Sequence, residues 1–365
     1  ERGTSAMASS PWTCAVCTFV HDAPTNVAYL SCEACGTERG AVSEPTRTWT
    51  TKKRKAQDEH VSEGEEEEAS LAPIFLKKKK EGLVLQTECA ATVKYSDKMR
   101  AVRQVPDAEV PAHAPLVIKR DVLPVELADR LLAALESAPW RRGTWCVAGR
   151  TTVNARQTLT FSLLDESANE DEDGMTTMII APKEVREAAI IVTRFVREEI
   201  DEQWTPTFAF GNRYDGPNEG VGAHSDHLTS IGPRPVIAGL NLGARRNFRL
   251  RKNDGSVVVT VPATHNSVLV MTRDAQEAWQ HDVPKGGSLK LTGFREHGVA
   301  GRVRYNLTFR MARPDVARRC GSCKCGRPAV LKADRKSKRY YLACNPAGGT
   351  ADAKCGFFAW CAWAD

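Results

Sequence analysis

Asn212-Arg213-Tyr214 followed by His224-Ser225-Asp226 is the stretch from which the fold is read. A β-strand points residues i and i+2 to one face, so His224 and Asp226 would offer two metal ligands from a single backbone segment. Two imidazoles and one carboxylate on one facet suit a non-haem Fe(II) that keeps its other positions open, so a third ligand is needed. His281, in Trp279-Gln280-His281-Asp282-Val283-Pro284-Lys285, is the best later candidate; His227 and His265 also lie near these segments. Beyond it, Arg304-Tyr305-Asn306-Leu307-Thr308-Phe309-Arg310 alternates polar with apolar or aromatic residues. As a strand it aims two cations, an amide and a hydroxyl at one space. A sandwich whose polar alternation faces water would show the same alternation, but would give His224, Asp226 and His281 no reason to coincide.

In this order and spacing, Asn-x-Tyr, His-x-Asp, a later His and Arg-x-Asn-x-Thr-x-Arg resemble the AlkB family of iron- and 2-oxoglutarate-dependent dioxygenases, over roughly residues 113–313. The resemblance implies a double-stranded β-helix (jelly roll). It implies that His224, Asp226 and His281 hold Fe(II), and that Arg304 and Arg310 bind the carboxylates of 2-oxoglutarate, with hydrogen bonds from Asn212, Tyr214 and Asn306. His227 and His265 do not fit the family positions. The family builds a nucleotide-recognition lid from the region equivalent to residues 140–164. Arg156 and Gln157 there would contact phosphate or base edges, or be merely solvated. Direct nucleobase demethylases of the family commonly carry an acidic residue two positions after the metal-binding Asp. Leu228 stands there and cannot accept a hydrogen bond from a base amine, which counts against methylated adenine or cytosine as substrate.

A chain of 365 residues with 42% hydrophobic content can bury at least one sizeable core and should hold two or three folding units. No apolar run approaches the length of a bilayer span, and the first residues lack a secretory pattern, so a soluble protein is expected; a monomer is the expected oligomeric state. The formal charge of +6 is compatible with a nucleic-acid partner.

The cysteines cluster at the two ends, which favours zinc in a reducing compartment over a disulfide framework. Trp12-Thr13-Cys14-Ala15-Val16-Cys17-Thr18-Phe19, then Cys32-Glu33-Ala34-Cys35, resembles the small zinc fingers of the Ran-binding-protein or NZF type. In that family Thr-Phe after the second Cys marks ubiquitin binders, so Thr18 and Phe19 make ubiquitin a candidate partner, beside nucleic acid or a merely structural role. The other end carries Cys323-Lys324-Cys325-Gly326, Arg339-Tyr340-Tyr341-Leu342-Ala343-Cys344 and Cys355-Gly356-Phe357-Phe358-Ala359-Trp360. It resembles the GRF zinc finger of DNA-processing enzymes, which implies Cys323, Cys325, Cys344 and Cys355 as zinc ligands. Basic residues between Lys332 and Arg339 beside aromatic faces suit single-stranded DNA. Cys320 and Cys361 are left over as simple thiols.

The expected class is therefore α+β, a jelly-roll catalytic domain flanked by two small zinc fingers. The expected order is a tag or tail (1–10, with Met7 a candidate start), an NZF-type finger (11–40), a charged disordered linker (41–92), the dioxygenase domain (93–313) and a GRF-type finger (318–365). In the linker, Lys52-Lys53-Arg54-Lys55 is either a nuclear localisation signal or a solvated charge run, and residues 72–76 form an apolar island. Order should resume near Leu116. Pro124 before Leu127, Leu131 and Leu135, and Pro182 before Val185, Ala189, Val192 and Val196, predict two amphipathic helices. Short strands are expected at residues 207–214, 236–242, 248–251, 257–261, 268–271 and 303–311. Two functions follow. One is a nuclear oxidative demethylase acting on N-alkylated bases, with single-stranded DNA recruited through the C-terminal finger. The other is an adaptor for DNA or ubiquitin built on an inactive oxygenase fold.

Overall fold

The computed structural model describes residues 90–96, 103–147, 150–164, 178–334, 336–344 and 355–364, with two short backbone pairs near the N-terminus. The chain divides into two units, Glu1–Glu81 and Gly82–Asp365. In the first, β1 (Trp12–Thr13) pairs antiparallel with β2 (Val20–His21). Cys14, Cys17, Cys32, Cys35, Thr18 and Phe19 lie outside the described residues, as does nearly all of the expected linker.

The second unit opens with β3 (Ala91–Tyr95), β4 (Arg103–Val105), β5 (Leu116–Lys119) and helix α1 (Val125–Glu136). β6 (Thr144–Val147) and β7 (Arg150–Val153) pair as a two-stranded sheet of their own, before β8 (Gln157–Ser162), β9 (Met178–Ile180) and α2 (Lys183–Glu199). Next come β10 (Phe208–Asp215), β11 (Val221–His224) and the single turn α3 (Leu228–Ile231). β12 (Ile237–Gly243), β13 (Arg246–Lys252), β14 (Val257–Ala263), β15 (Ser267–Met271) and β16 (Trp279–Val283) follow. The short α4 (Leu289–Thr292) precedes β17 (Val303–Arg310). Finally α5 (Pro314–Cys320) leads into a three-stranded sheet of β18 (Ala329–Ala333), β19 (Tyr340–Cys344) and β20 (Phe358–Trp360).

Two sheets enclose the site. One has the order β5-β15-β12-β17-β10-β8-β9 and the other β11-β16-β13-β14-β3-β4. Ile237 and Leu269 from the first sheet share a buried cluster with Val93, Leu250, Val259 and Trp279 from the second, which is the core of a jelly roll. The outer face of the larger sheet is covered by α1 and α2. Leu127, Leu131 and Leu135, with Val185, Ala189, Val192 and Val196, sit on Leu159, Ala209, Leu240, Leu307 and Phe309. Each helix follows a proline that fixes an extended entry, and each buries one stripe at helical spacing. Among the described residues no helix is long and apolar enough to cross a membrane.

Three expectations change. Order does not wait for Leu116: Ala91 and Thr92, inside the stretch expected as linker, already pair within the smaller sheet through β3. The region 140–164 is not one lid, because β8 is a strand of the main sheet and only the β6–β7 hairpin stands apart. β11 stops at His224, so Asp226 is not on the strand with it.

Asn266 closes the turn between β14 and β15 in the left-handed region, at φ 55°. Its side chain is buried and accepts the Leu123 amide at 2.9 Å while donating to the Leu123 carbonyl at 2.8 Å. Asn266→Ala should destabilise the fold by about 3 kcal/mol, through two orphaned backbone groups and a less tolerated backbone conformation. A urea midpoint lowered with unchanged slope checks this.

Candidate functional site

The registers of β10, β17 and β12 bring the polar parity of each strand to one wall. Tyr214 lies opposite Arg304, Asn212 opposite Asn306, and Asn241 opposite Asn306 from the other side. The apolar parity of β17, Tyr305, Leu307 and Phe309, turns to the helix layer. Gly239 is small because a Cβ there would stand 3.2 Å from Asn306 Nδ2. The resulting inner cavity, about 60 Å³, is lined by Asn212, Tyr214, Asn241, Arg304, Asn306, Arg310 and both His224 and His281. A larger groove of about 1080 Å³ shares Arg156, His224 and Arg310 with it and adds Asp226, His227, Ser230 and Lys285.

His224, at the end of the edge strand β11, lies opposite His281 on β16, and their rings are 4.2 Å apart. Asp226 reaches the same point from the loop after β11. Its Oδ1 is 3.8 Å from His224 Nε2 and 3.9 Å from His281 Nε2, and the three ligand atoms all lie within 4.8 Å of one another. Arg310, expected to bind a carboxylate of 2-oxoglutarate, is engaged by Asp226 instead: it binds Oδ2 through Nε at 3.0 Å and Nη2 at 2.7 Å, which leaves Oδ1 facing the imidazoles. His224 Nδ1 is 2.9 Å from the Gly222 carbonyl; donation there leaves Nε2 with a free lone pair. Burial, and then the neighbouring His224, push His281 down to about 3, so its imidazole is neutral. Burial alone would raise the Asp226 carboxyl, but Arg310, His281 and His224 together hold it well below the usual carboxylate range. Two neutral imidazoles and a carboxylate are a donor set that could hold a divalent iron.

Arg304 tests the fit of a second group. It is 2% exposed; Nη2 donates to Asn241 Oδ1 at 2.5 Å, while Nε and Nη1 have no partner. Its guanidinium lies 5.1 Å over the Tyr214 ring. A buried cation with two donors unused is costly unless an anion completes it, and a carboxylate in the cavity would do so bidentately. The residues therefore fit an iron together with a dicarboxylate.

Arg156 is not solvated. It is buried, and its Nε donates to Asn212 Oδ1 at 2.6 Å. Gln157, its neighbour on β8, points to the opposite face and accepts from Arg213 Nη1 at 2.8 Å, away from both cavities. Leu228 is also away from them. It is 4% exposed and packs among Val316, Ala329, Leu331 and Tyr340, so the expectation that it faces a substrate base is corrected; His227 and Ser230 line the groove instead. His265 stacks on His297 at 4.3 Å and lines neither cavity. Sequence reasoning missed Asn241 and Arg246. Arg246, 1% exposed, donates to the carbonyls of Gly216, Glu219 and Pro284 and so ties the β10–β11 loop to the end of β16.

A second cluster is formed by Cys323, Cys325, Cys344 and Cys355, whose sulfurs also lie within 4.8 Å of one another. Sγ separations of 3.0, 3.7 and 3.9 Å among the first three approach the roughly 3.8 Å edge of a zinc–thiolate tetrahedron. Cys320 and Cys361 are buried in the apolar core of this module, as simple thiols would be.

The family model described as the 2OG-Fe(II) oxygenase superfamily matches residues 115–310, and the chain belongs to that superfamily. Among named proteins it is similar to alpha-ketoglutarate-dependent dioxygenase alkB homolog 3 of Homo sapiens, 36% identical over 34% of this chain and 43% of the relative. It is similar also to DNA oxidative demethylase ALKBH2 of Homo sapiens, 30% identical over 33% of this chain and 46% of the relative. The chain thus spans less than half the length of these relatives. The structure of OsALKBH1 overlaps 54% of this chain and 98% of its own at 16% identity with a TM-score of 0.36.

Two outcomes check the site. His281→Ala should weaken Mn(II) binding about 100-fold or more, read by calorimetry, with little change in melting temperature; unchanged affinity would exclude His281. Arg304→Met removes a buried cation without an ionic partner, so the apoprotein should melt slightly higher, while the stabilisation conferred by added 2-oxoglutarate should vanish.

Proposed function

We propose that the chain is an iron- and 2-oxoglutarate-dependent oxidative demethylase acting on N-alkylated bases in nucleic acid. The observation that carries this reading is that His224 and His281, with Asp226 converging on them, line the same cavity as the unfulfilled donors of Arg304. His224, Asp226 Oδ1 and His281 would hold the iron. Iron with 2-oxoglutarate and oxygen supplies the oxidant for a substrate C–H bond. Arg310 keeps Asp226 ionised and turned toward the imidazoles. Arg304 would take a carboxylate of the co-substrate, with Asn212, Tyr214 and Asn306 adding hydrogen bonds. Phe248 packs on the His281 ring, with centroids 5.7 Å apart, and keeps that flank dry. An N-methyl group presented in the outer groove would leave as formaldehyde once hydroxylated, and Arg156 and Lys285 on the groove walls suit phosphate.

The C-terminal module is read as a zinc finger for single-stranded DNA. Phe358 and Trp360 are about half exposed, Tyr341 stacks on Phe358 at 5.1 Å, and the Arg339 guanidinium lies 4.7 Å over Trp360. Aromatic faces edged by cations are what unpaired bases and phosphates require. The N-terminal finger, with ubiquitin as candidate partner, and a nuclear site of action rest on sequence alone.

The deciding experiment supplies iron, 2-oxoglutarate and N-methylated oligonucleotides and follows succinate and formaldehyde together. No turnover on any methylated strand, single or double, would leave the adaptor reading. Phe358→Ala with Trp360→Ala should weaken single-stranded DNA binding about 10-fold or more while zinc content stays at wild-type level. Equal affinity would remove this face from DNA recognition.

A further inference from the structure

Asp226 lies in a short connection whose ends are held by two different cores. Upstream, Ser225 Oγ donates to the Trp279 carbonyl at 2.8 Å and the Asp226 amide donates to Gln276 Oε1 at 2.7 Å. Downstream, α3 begins almost at once. Leu228 is buried in the core of the cysteine module, whereas Ile231 is buried in the core between the sheets. Thr229 Oγ1 accepts the Leu331 amide at 3.0 Å, and the Ser230 carbonyl accepts the Arg313 amide at 2.7 Å.

A second tie reaches the loop through the neighbour of Gln276. Tyr340 Oη donates to Glu277 Oε1 at 2.9 Å, and the same oxygen accepts the Arg234 amide at 2.7 Å. Gln276, Glu277 and Tyr340 are 4%, 5% and 2% exposed, so water cannot replace these bonds if they are lost. Ligands must be held to within about 0.5 Å to be useful, and supporting contacts do that holding.

We propose that the C-terminal cysteine module is a working part of the metal centre: through Leu228, Thr229 and the Tyr340–Glu277 bond it positions the Asp226 loop, so metal affinity at His224, Asp226 and His281 depends on a folded module. Gln276, Glu277 and Tyr340 are positioning residues; they act through Asp226. The inference rests on reading the triad as a metal site. A module this small draws much of its folding energy from metal on its thiolates, so filling the cysteine site raises affinity at the triad, and the coupling is reciprocal.

The test is Mn(II) binding to the full chain, followed by loss of the free Mn(II) spin-resonance signal. Tyr340→Phe keeps the ring and removes only the hydroxyl; Thr229→Val keeps the shape and replaces the hydroxyl that accepts the Leu331 amide with a methyl group. Each should raise the Mn(II) dissociation constant about 5- to 10-fold while the protein retains its zinc. Unchanged Mn(II) affinity in both variants overturns the coupling, as does full affinity in a variant that has lost its zinc. If Tyr340→Phe fails to fold, Thr229→Val alone decides. A wild-type chain that binds no Mn(II) would instead sink the reading of the triad itself.

Discussion

A strand buried on both faces must sort its side chains by parity, and β17 does so near the middle of the larger sheet. Tyr305, Leu307 and Phe309 enter the helix core; Arg304, Asn306, Thr308 and Arg310 enter the cavity. A slip of one residue would bury two guanidinium groups under the helices and fill the site with apolar side chains. That cost pins the register, and the register in turn sets Tyr214 against Arg304 and Asn212 against Asn306. The chemistry of the cavity is thus secured by the apolar half of the strand that takes no part in it.

Polar groups collected in this way carry unequal compensation. Arg310 has the Asp226 carboxylate, whereas Arg304 has one amide oxygen and the face of a phenol ring. Burial, followed by repulsion from Arg304, brings nearby Arg246 down to about 10, although carbonyls surround it. The cavity is therefore short of negative charge, and an anion entering it gains more than it would from the same residues in water.

What depended on local pattern was legible in the sequence. The two proline-led helices and the alternation of β17 follow from spacing over a few residues, and the pocket-facing parity carried most of the site with it. What depended on a distant partner was not. Nothing near Asp226 reveals that the strand ends at His224, because the loop is held by Gln276 and by the C-terminal module. Arg156 and Gln157 looked alike as neighbours, yet adjacent residues on a strand face opposite ways, one toward Asn212 and one toward Arg213. Asn241 had a usable signal, a lone amide in an otherwise apolar run. Arg246 had none, since its carbonyl partners come from two other loops.

The single turn α3 also bears on the order of synthesis. Ribosomes release the chain from its N-terminus, so His224, Asp226 and His281 emerge before the partners that hold α3 in place. Thr229 meets its donor 102 residues later, at Leu331, and Glu277 meets Tyr340 after a separation of 63. A nascent chain that has just completed β17 carries every residue of the cavity but has Leu228 still uncovered. The strands bearing Leu331 and Tyr340 are made after every residue of the cavity, so the Asp226 loop gains these supports only once the cavity strands are complete.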